Sequence, residues 1–81
     1  MNTNKLKAVR IEKDHTQKSL ARIIGMSEKT YNRKELGLIE FTGKEILIIS
    51  NTLNLTMDMV NEIFFENKLT KCISENTARQ A

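Results

Sequence analysis

Four polar side chains lie close together between residues 28 and 33 of the chain. Glu28, Lys29, Asn32 and Arg33 have the spacing that places two pairs of side chains one turn apart on a helix. A guanidinium or a side-chain amide can form two hydrogen bonds with one planar partner, and the lysine adds positive charge. The sequence contains no nucleophile with a matching base, no phosphate-binding glycine loop and no paired carboxylates. We therefore expect a binding protein and not an enzyme.

The residues around this cluster predict two short helices joined by a tight turn. The hydroxyl of Thr16 can cap a helix over residues 17–24, and Gly25 follows its last apolar position, where a glycine commonly ends a helix. Ser27 can then cap a second helix over residues 28–35. The angle between the helices can be filled by Leu20, Ala21, Ile24, Met26 and Tyr31. This arrangement is a helix-turn-helix.

The order of residue types across positions 16–37 is Thr-Gln, Leu-Ala, Gly, Ser, Thr-Tyr, Arg-Lys-Glu and Gly. This order and its spacing resemble the Cro/repressor-type (Xre) helix-turn-helix family of phage and bacterial transcription regulators, and the resemblance extends from Leu6 to Phe65. It implies an all-α fold, namely a compact five-helix, lambda-repressor-like DNA-binding domain. It also implies double-stranded DNA as the partner, bound at a palindromic operator by a homodimer.

The resemblance further implies which side chains face the bases. The family's base-facing positions correspond to Ser27, Glu28, Lys29, Asn32 and Arg33. Arg33 can offer two donors to a guanine, and Asn32 a donor and an acceptor to an adenine. Lys29 suits either a guanine or a phosphate. Glu28 either accepts from a cytosine or only stabilises the helix end.

Contacts to the DNA backbone are expected from the start of the first helix of the pair. Gln17 matches a family position that contacts phosphate, and Thr16 and Lys18 can assist through hydroxyl, backbone amide or ammonium groups. Lys34 is expected to cover the core with its methylene groups and to place its ammonium near a phosphate.

Two further pairs of residues are expected to have structural roles. Arg10 lies on the apolar stripe of the first helix, and the resemblance implies that it pairs with Glu35, the alternative being that both are solvated. Leu38 and Ile39 follow the second helix of the pair, where relatives commonly have polar residues. They form either a dimer contact or an apolar lid folded over the core.

Three more helices complete the expected domain. Asn4 can cap a helix over residues 5–13, Thr42 and Glu45 form the capping box of one over residues 43–53, and Thr56 can cap one over residues 57–65. The core residues expected outside the helix pair are Leu6, Val9, Ile46, Leu47, Ile49, Leu53, Ile63, Phe64 and either Met59 or Val60. We assign residues 1–65 to the DNA-binding domain. Residues 66–81 form an extension, with a short amphipathic turn at Leu69, Cys72 and Ile73 followed by a mobile end.

Basic residues are concentrated in the first half of the chain. Residues 1–37 contain nine Lys or Arg and four Asp or Glu. Residues 38–81 contain four Lys or Arg and six Asp or Glu. A locally positive surface suits a polyanion, because neutralised phosphates release counterions. Ordinary mixing of charges on a helical surface is the alternative explanation.

The remaining composition narrows the class of protein. One cysteine and one histidine provide no expected metal or cofactor site, and Cys72 is expected to be an inert thiol. The chain begins without the apolar stretch of a signal peptide, so we expect a cytoplasmic protein. The alternative function is that of an antitoxin or protein-binding adaptor that retains the helix-turn-helix and acts through a partner protein.

Overall fold

The computed structural model describes residues 1–65 as five helices, with no strand in that range. They are α1 (Thr3–Glu12), α2 (Gln17–Ile24), α3 (Glu28–Glu35), α4 (Gly43–Thr52) and α5 (Met57–Phe64). The prediction of an all-α helix-turn-helix fold is confirmed. The predicted amphipathic turn and mobile end at residues 66–81 lie outside the described residues. Within residues 1–65, no helix is long and apolar enough to cross a membrane.

Four of the five helices begin at the residue that the sequence predicts. The hydroxyls of Thr16, Ser27, Thr42 and Thr56 each accept a hydrogen bond from the backbone amide three residues later. At the start of α4, the Glu45 carboxylate also accepts from the Thr42 amide at 2.9 Å, which completes the capping box. These caps satisfy amides that have no partner within their own helices.

The first helix differs from the prediction at both ends. Its cap is Asn2, whose Oδ1 accepts from the Lys5 amide at 3.1 Å, so the expectation of a cap at Asn4 is wrong. The backbone amide of Asn2 also donates to the Ile63 carbonyl at 2.6 Å, and this bond fixes the start of α1 against α5. The helix therefore starts earlier than predicted, and it ends at Glu12 rather than at Lys13.

Gly25 forms the turn between α2 and α3. It has a φ of 95°, in the left-handed region that side chains with a Cβ rarely adopt, and its amide donates to the Ala21 carbonyl at 2.9 Å. The Met26 amide donates to the same carbonyl at 2.9 Å. The chain thus reverses within three residues, and α3 packs across α2.

The core takes side chains from all five helices. Its buried apolar members are Leu6, Val9, Leu20, Ala21, Tyr31, Ile49, Leu53 and Ile63. In α5, Met59 and Phe64 pack against this cluster, which resolves the choice between Met59 and Val60. Leu47 is 61% exposed, so its predicted place in the core is wrong. It lies two residues from Ile49 and therefore on the opposite side of α4.

Candidate nucleic-acid interface

The exposed face of the helix pair consists of polar side chains from α3 and from the start of α2. The exposed members of the predicted site are Thr16, Lys18, Ser27, Glu28, Lys29 and Arg33, whereas Gln17 and Asn32 are half-buried. Within residues 1–65, Lys18, Lys29 and Arg33 form no salt bridge. Their charges are therefore available to a ligand.

The charge balance of this face is positive. Across residues 16–37 the exposed cations are Lys18, Arg22, Lys29 and Arg33, and Glu28 is the one exposed carboxylate in that span. The two other charged residues of the span, Lys34 and Glu35, are buried. A polyanion that approaches α3 thus meets net positive charge.

The opposite side of α3 is anchored by a buried ion pair. Arg10 Nε donates to Glu35 Oε1 at 2.7 Å, and the exposed fraction of either side chain is below a tenth. Arg10 Nη1 also donates to the His15 carbonyl at 2.7 Å, so one guanidinium links α1, the α1–α2 turn and α3. A buried guanidinium with two partners avoids the cost of an unpaired charge.

Tyr31 adds a third buried group to this cluster. Its hydroxyl donates to Glu35 Oε1 at 3.3 Å. Burial raises the pKa of Tyr31, and the negative charge of Glu35 raises it further, while Arg10 acts in the opposite direction. The tyrosine therefore stays neutral and serves as a donor to the carboxylate.

Gln17 connects the buried carboxylate to the exposed face. Its Nε2 donates to Glu35 Oε2 at 2.5 Å and to Asn32 Oδ1 at 3.1 Å. Hydrogen bonds thus run without a break from Arg10, through Glu35 and Gln17, to Asn32. Both hydrogens of the Gln17 amide nitrogen are used inside the protein.

Ser27 has a structural role in addition to its predicted position at the bases. Its hydroxyl accepts from the Thr30 amide at 3.1 Å and donates to the Thr30 hydroxyl at 2.9 Å. Ser27 is exposed, and its hydroxyl oxygen has a second lone pair that can accept a hydrogen bond from an external donor.

Lys34 does not lie where the sequence analysis expected. The residue is 8% exposed, and its Nζ donates to Glu45 Oε1 at 2.6 Å and lies 6.0 Å from the centroid of the Phe41 ring. The methylene groups do cover the core, but the expectation of an ammonium near a phosphate is wrong. The ammonium of Lys34 instead forms an ion pair with the Glu45 carboxylate of the α4 capping box.

The same contacts change the acidity of Glu45. Burial favours its neutral form, but the hydrogen bonds from Lys34 and from the Thr42 amide outweigh burial, so that the pKa of Glu45 lies below its usual value. The carboxylate therefore stays ionised at neutral pH and joins α3 to α4.

The loop after α3 carries apolar side chains into solvent. Leu38 is 73% exposed and Ile39 is 42% exposed, and Leu36 is also exposed. The interpretation of this loop as a lid over the core is wrong for Leu38. Ile39 borders an open groove of about 580 Å³ between the loop and α5, whose other apolar linings are Met1, Leu36, Phe41, Ile46, Phe64 and Phe65.

A family model described as Helix-turn-helix matches residues 6–60, which is more than half of the chain. The chain belongs to the Cro/repressor-type helix-turn-helix family. It is accordingly a DNA-binding helix-turn-helix regulator. No curated protein and no solved structure matches it. Within the part of the chain described, no group of three or more His, Cys, Asp or Glu side chains could hold a metal ion.

In this helix-turn-helix protein α3 occupies the place of the recognition helix. Its first turn carries Glu28 and Lys29, and Arg33 follows one turn later on the exposed side. The structure brings the predicted residues of α2 and α3 to one surface, with direct contact between Gln17 and Asn32.

Two contacts of the helix-turn-helix unit were missed from the sequence. One is the hydrogen-bonded link from Glu35 through Gln17 to Asn32, and the other is the pairing of Lys34 with Glu45. A signal existed for the first, because residues 32 and 35 are three apart on one helix and thus share the side that crosses α2. The pairing of Lys34 with Glu45 depends on where the loop before α4 places the capping box of α4. Residue spacing alone does not predict that position.

Proposed function

We propose that this helix-turn-helix protein binds a specific operator sequence through the major groove and regulates transcription in the manner of a Cro protein or repressor. The observation that carries the proposal is the contrast between the two sides of α3. On one side Tyr31, Lys34 and Glu35 are buried and hydrogen-bonded, and on the other Lys29 and Arg33 are exposed and unpaired within the described residues. A rigid helix with free donors on its outer face suits insertion between the phosphate chains of a duplex.

Base recognition is assigned to the exposed side of α3. Arg33 can donate two hydrogen bonds to guanine O6 and N7, a contact that discriminates between bases by roughly 1 to 3 kcal/mol. Lys29 is one turn closer to the start of the helix, where family members place side chains against base edges. Ser27 and Glu28 lie at the same end and complete the proposed base-facing set with Asn32.

Contacts to phosphate are assigned to the start of α2. The first backbone amides of a helix have no partner within the helix, so those of Gln17 and Lys18 are suitable donors to an anion. The Thr16 hydroxyl accepts from the Ser19 amide at 2.9 Å and keeps its own hydrogen for a phosphate oxygen. The Lys18 ammonium adds charge that is independent of base sequence.

A homodimer is the proposed binding form. One short recognition helix reaches only a few base pairs, and two-fold pairs of such units bind half-sites roughly 34 Å apart. The exposed side chains of Leu38 and Ile39 lie three and four residues after the end of α3, and we propose that they contact the same loop of a second copy. Such a contact would remove apolar surface from water while it fixes the spacing of the two α3 helices.

The test is a selection of bound sequences from a random pool of duplex DNA, carried out at low and at physiological salt. The proposal predicts an enriched palindrome and an affinity that falls steeply as salt increases. If no sequence is enriched, the proposal fails. The exposed Leu38–Ile39 loop would then favour the alternative function, that of an antitoxin or adaptor that binds a partner protein.

A further inference from the structure

We infer that Gln17 is a positioning residue that fixes the side-chain amide of Asn32 in one orientation, so that Asn32 prefers guanine to adenine in the major groove. The inference rests on the proposed function and deepens it, because it concerns which bases one recognition residue favours. It also gives Gln17 a role other than a side-chain contact to phosphate.

The orientation of both amides follows from the charge of Glu35. A carboxylate accepts hydrogen bonds, so the atom of Gln17 that lies 2.5 Å from Glu35 Oε2 must be its amide nitrogen and not its oxygen. The same nitrogen lies 3.1 Å from the side-chain amide of Asn32. Because this nitrogen is a donor, the facing atom of Asn32 must be an acceptor, namely Oδ1. The ionised carboxylate thus sets two amides in sequence.

The carboxylate that begins this sequence is itself immobile. Glu35 is 4% exposed, and its other oxygen accepts from Arg10 Nε at 2.7 Å and from the Tyr31 hydroxyl at 3.3 Å. Neither carboxylate oxygen is free to turn away without breaking a buried ion pair. Gln17 is consequently held at a fixed place beside α3.

The fixed amide determines what Asn32 can offer to DNA. Its Oδ1 is turned towards Gln17, and within residues 1–65 its Nδ2 has no hydrogen-bond partner, so both of its hydrogens can be donated to an external acceptor. Pairing with adenine requires the oxygen and the nitrogen of an asparagine together, since adenine presents one donor and one acceptor. Guanine presents two acceptors, which match the two hydrogens of Nδ2, whereas adenine presents only one. The anchored Asn32 therefore prefers guanine to adenine, which differs from the adenine contact expected from the sequence.

The experiment is the random-pool selection repeated with three variants of the full chain. Asn32→Ala identifies the position that Asn32 contacts, because the preference at that position alone disappears. Gln17→Met keeps the length of the side chain and removes both donors. It should allow the Asn32 amide to turn, so that a preference of roughly tenfold against adenine in the wild type falls to about threefold or less.

Asn32→Asp supplies a second test that preserves the contact with Gln17. The aspartate keeps an oxygen for the Gln17 donor but replaces the free Nδ2 donor with an acceptor. The favoured base should change to cytosine or adenine, whose amino groups donate in the major groove. Thermal unfolding monitored by circular dichroism shows whether each variant is folded at the temperature of the selection.

Three results would overturn the inference. One is enrichment of adenine by the wild type at the Asn32 position. Another is a uniform loss of affinity for all duplexes in Gln17→Met with an unchanged base profile, which would indicate a phosphate contact or a purely structural role. The third is the absence of any sequence preference in the wild type. That result would also refute the proposed function, whereas the first two results would refute only the inference about Gln17.

Discussion

Arg10 and Glu35 are 25 residues apart in the sequence, and the guanidinium Nε of the first donates to the carboxylate of the second at 2.7 Å in the protein interior. The bond joins α1 to the last turn of α3. Since Glu35 also accepts from Tyr31 and Gln17, one carboxylate sets the position of the recognition helix relative to both preceding helices. The orientation of the exposed face of α3 therefore depends on a carboxylate that is buried in the protein interior.

We expect Glu35→Ala to lower the free energy of unfolding by roughly 3 to 5 kcal/mol, because it leaves the Arg10 charge buried without a partner. Urea denaturation followed by circular dichroism measures the change. Glu12→Ala is the matched control, since Glu12 is an exposed carboxylate of α1 and should change the stability by less than about 0.5 kcal/mol. Equal stability of Glu35→Ala and the wild type would show that the pair contributes nothing.

We expect the contact between Lys34 and Glu45 to make stability depend on pH. The folded-state pKa of Glu45 lies below its value of 4.5 in the unfolded chain, so its contribution is fully present above about pH 4.5 and is lost as the pH falls through the folded pKa. Glu45→Gln keeps an acceptor for the cap and removes the charge. The variant should be less stable at pH 7 by roughly 1.5 to 3 kcal/mol, and the difference should shrink at pH 3.

The pH experiment needs a carboxylate of the same region as its control. Glu40 is exposed in the loop before α4, and Glu40→Gln should leave the stability nearly unchanged at both pH values. A Glu45→Gln deficit that is as large at pH 3 as at pH 7 would mean that the charge of Glu45 is not the cause.

The loop after α3 gives a prediction about assembly. A double variant with Leu38→Lys and Ile39→Lys should remain folded, because both side chains are exposed, but two copies would then place like charges opposite each other. Sedimentation velocity on a duplex with two half-sites should show two copies of the wild type and independent binding of single copies of the variant. Unchanged self-association of the variant would remove this loop from the interface.

Much of the fold could be predicted because its signals are local. A hydroxyl before an apolar stripe marks the starts of α2 to α5, and Gly25 marks the turn that a left-handed residue must form. The start of α1 was misplaced because the choice between Asn2 and Asn4 depends on a hydrogen bond to the Ile63 carbonyl, 61 residues away in the sequence. Such a contact has no local signal.

The details of the candidate site were harder to predict than its location. The types of residue and the resemblance indicated that Gln17 and Lys34 lie near DNA, but both side chains have partners inside the protein. Their partners, Asn32 and Glu35 for Gln17 and Glu45 for Lys34, are acceptors supplied by other parts of the fold. Whether a cation or an amide faces outward is decided by the nearest buried acceptor, and its distance is a tertiary property.

The central claim is that α3 recognises bases while α2 contacts the DNA backbone. The measurement that tests it most directly compares Arg33→Ala with Lys18→Ala in binding titrations on the selected operator and on random duplex, at two salt concentrations. Lys7→Ala is the control, since it removes an exposed charge outside the helix pair.

Arg33→Ala should lose roughly 1 to 3 kcal/mol of binding free energy on the operator and much less on random duplex. Lys18→Ala should weaken binding to both duplexes equally and reduce the dependence on salt. Equal losses on the two duplexes for Arg33→Ala would contradict the assignment of α3 to base recognition.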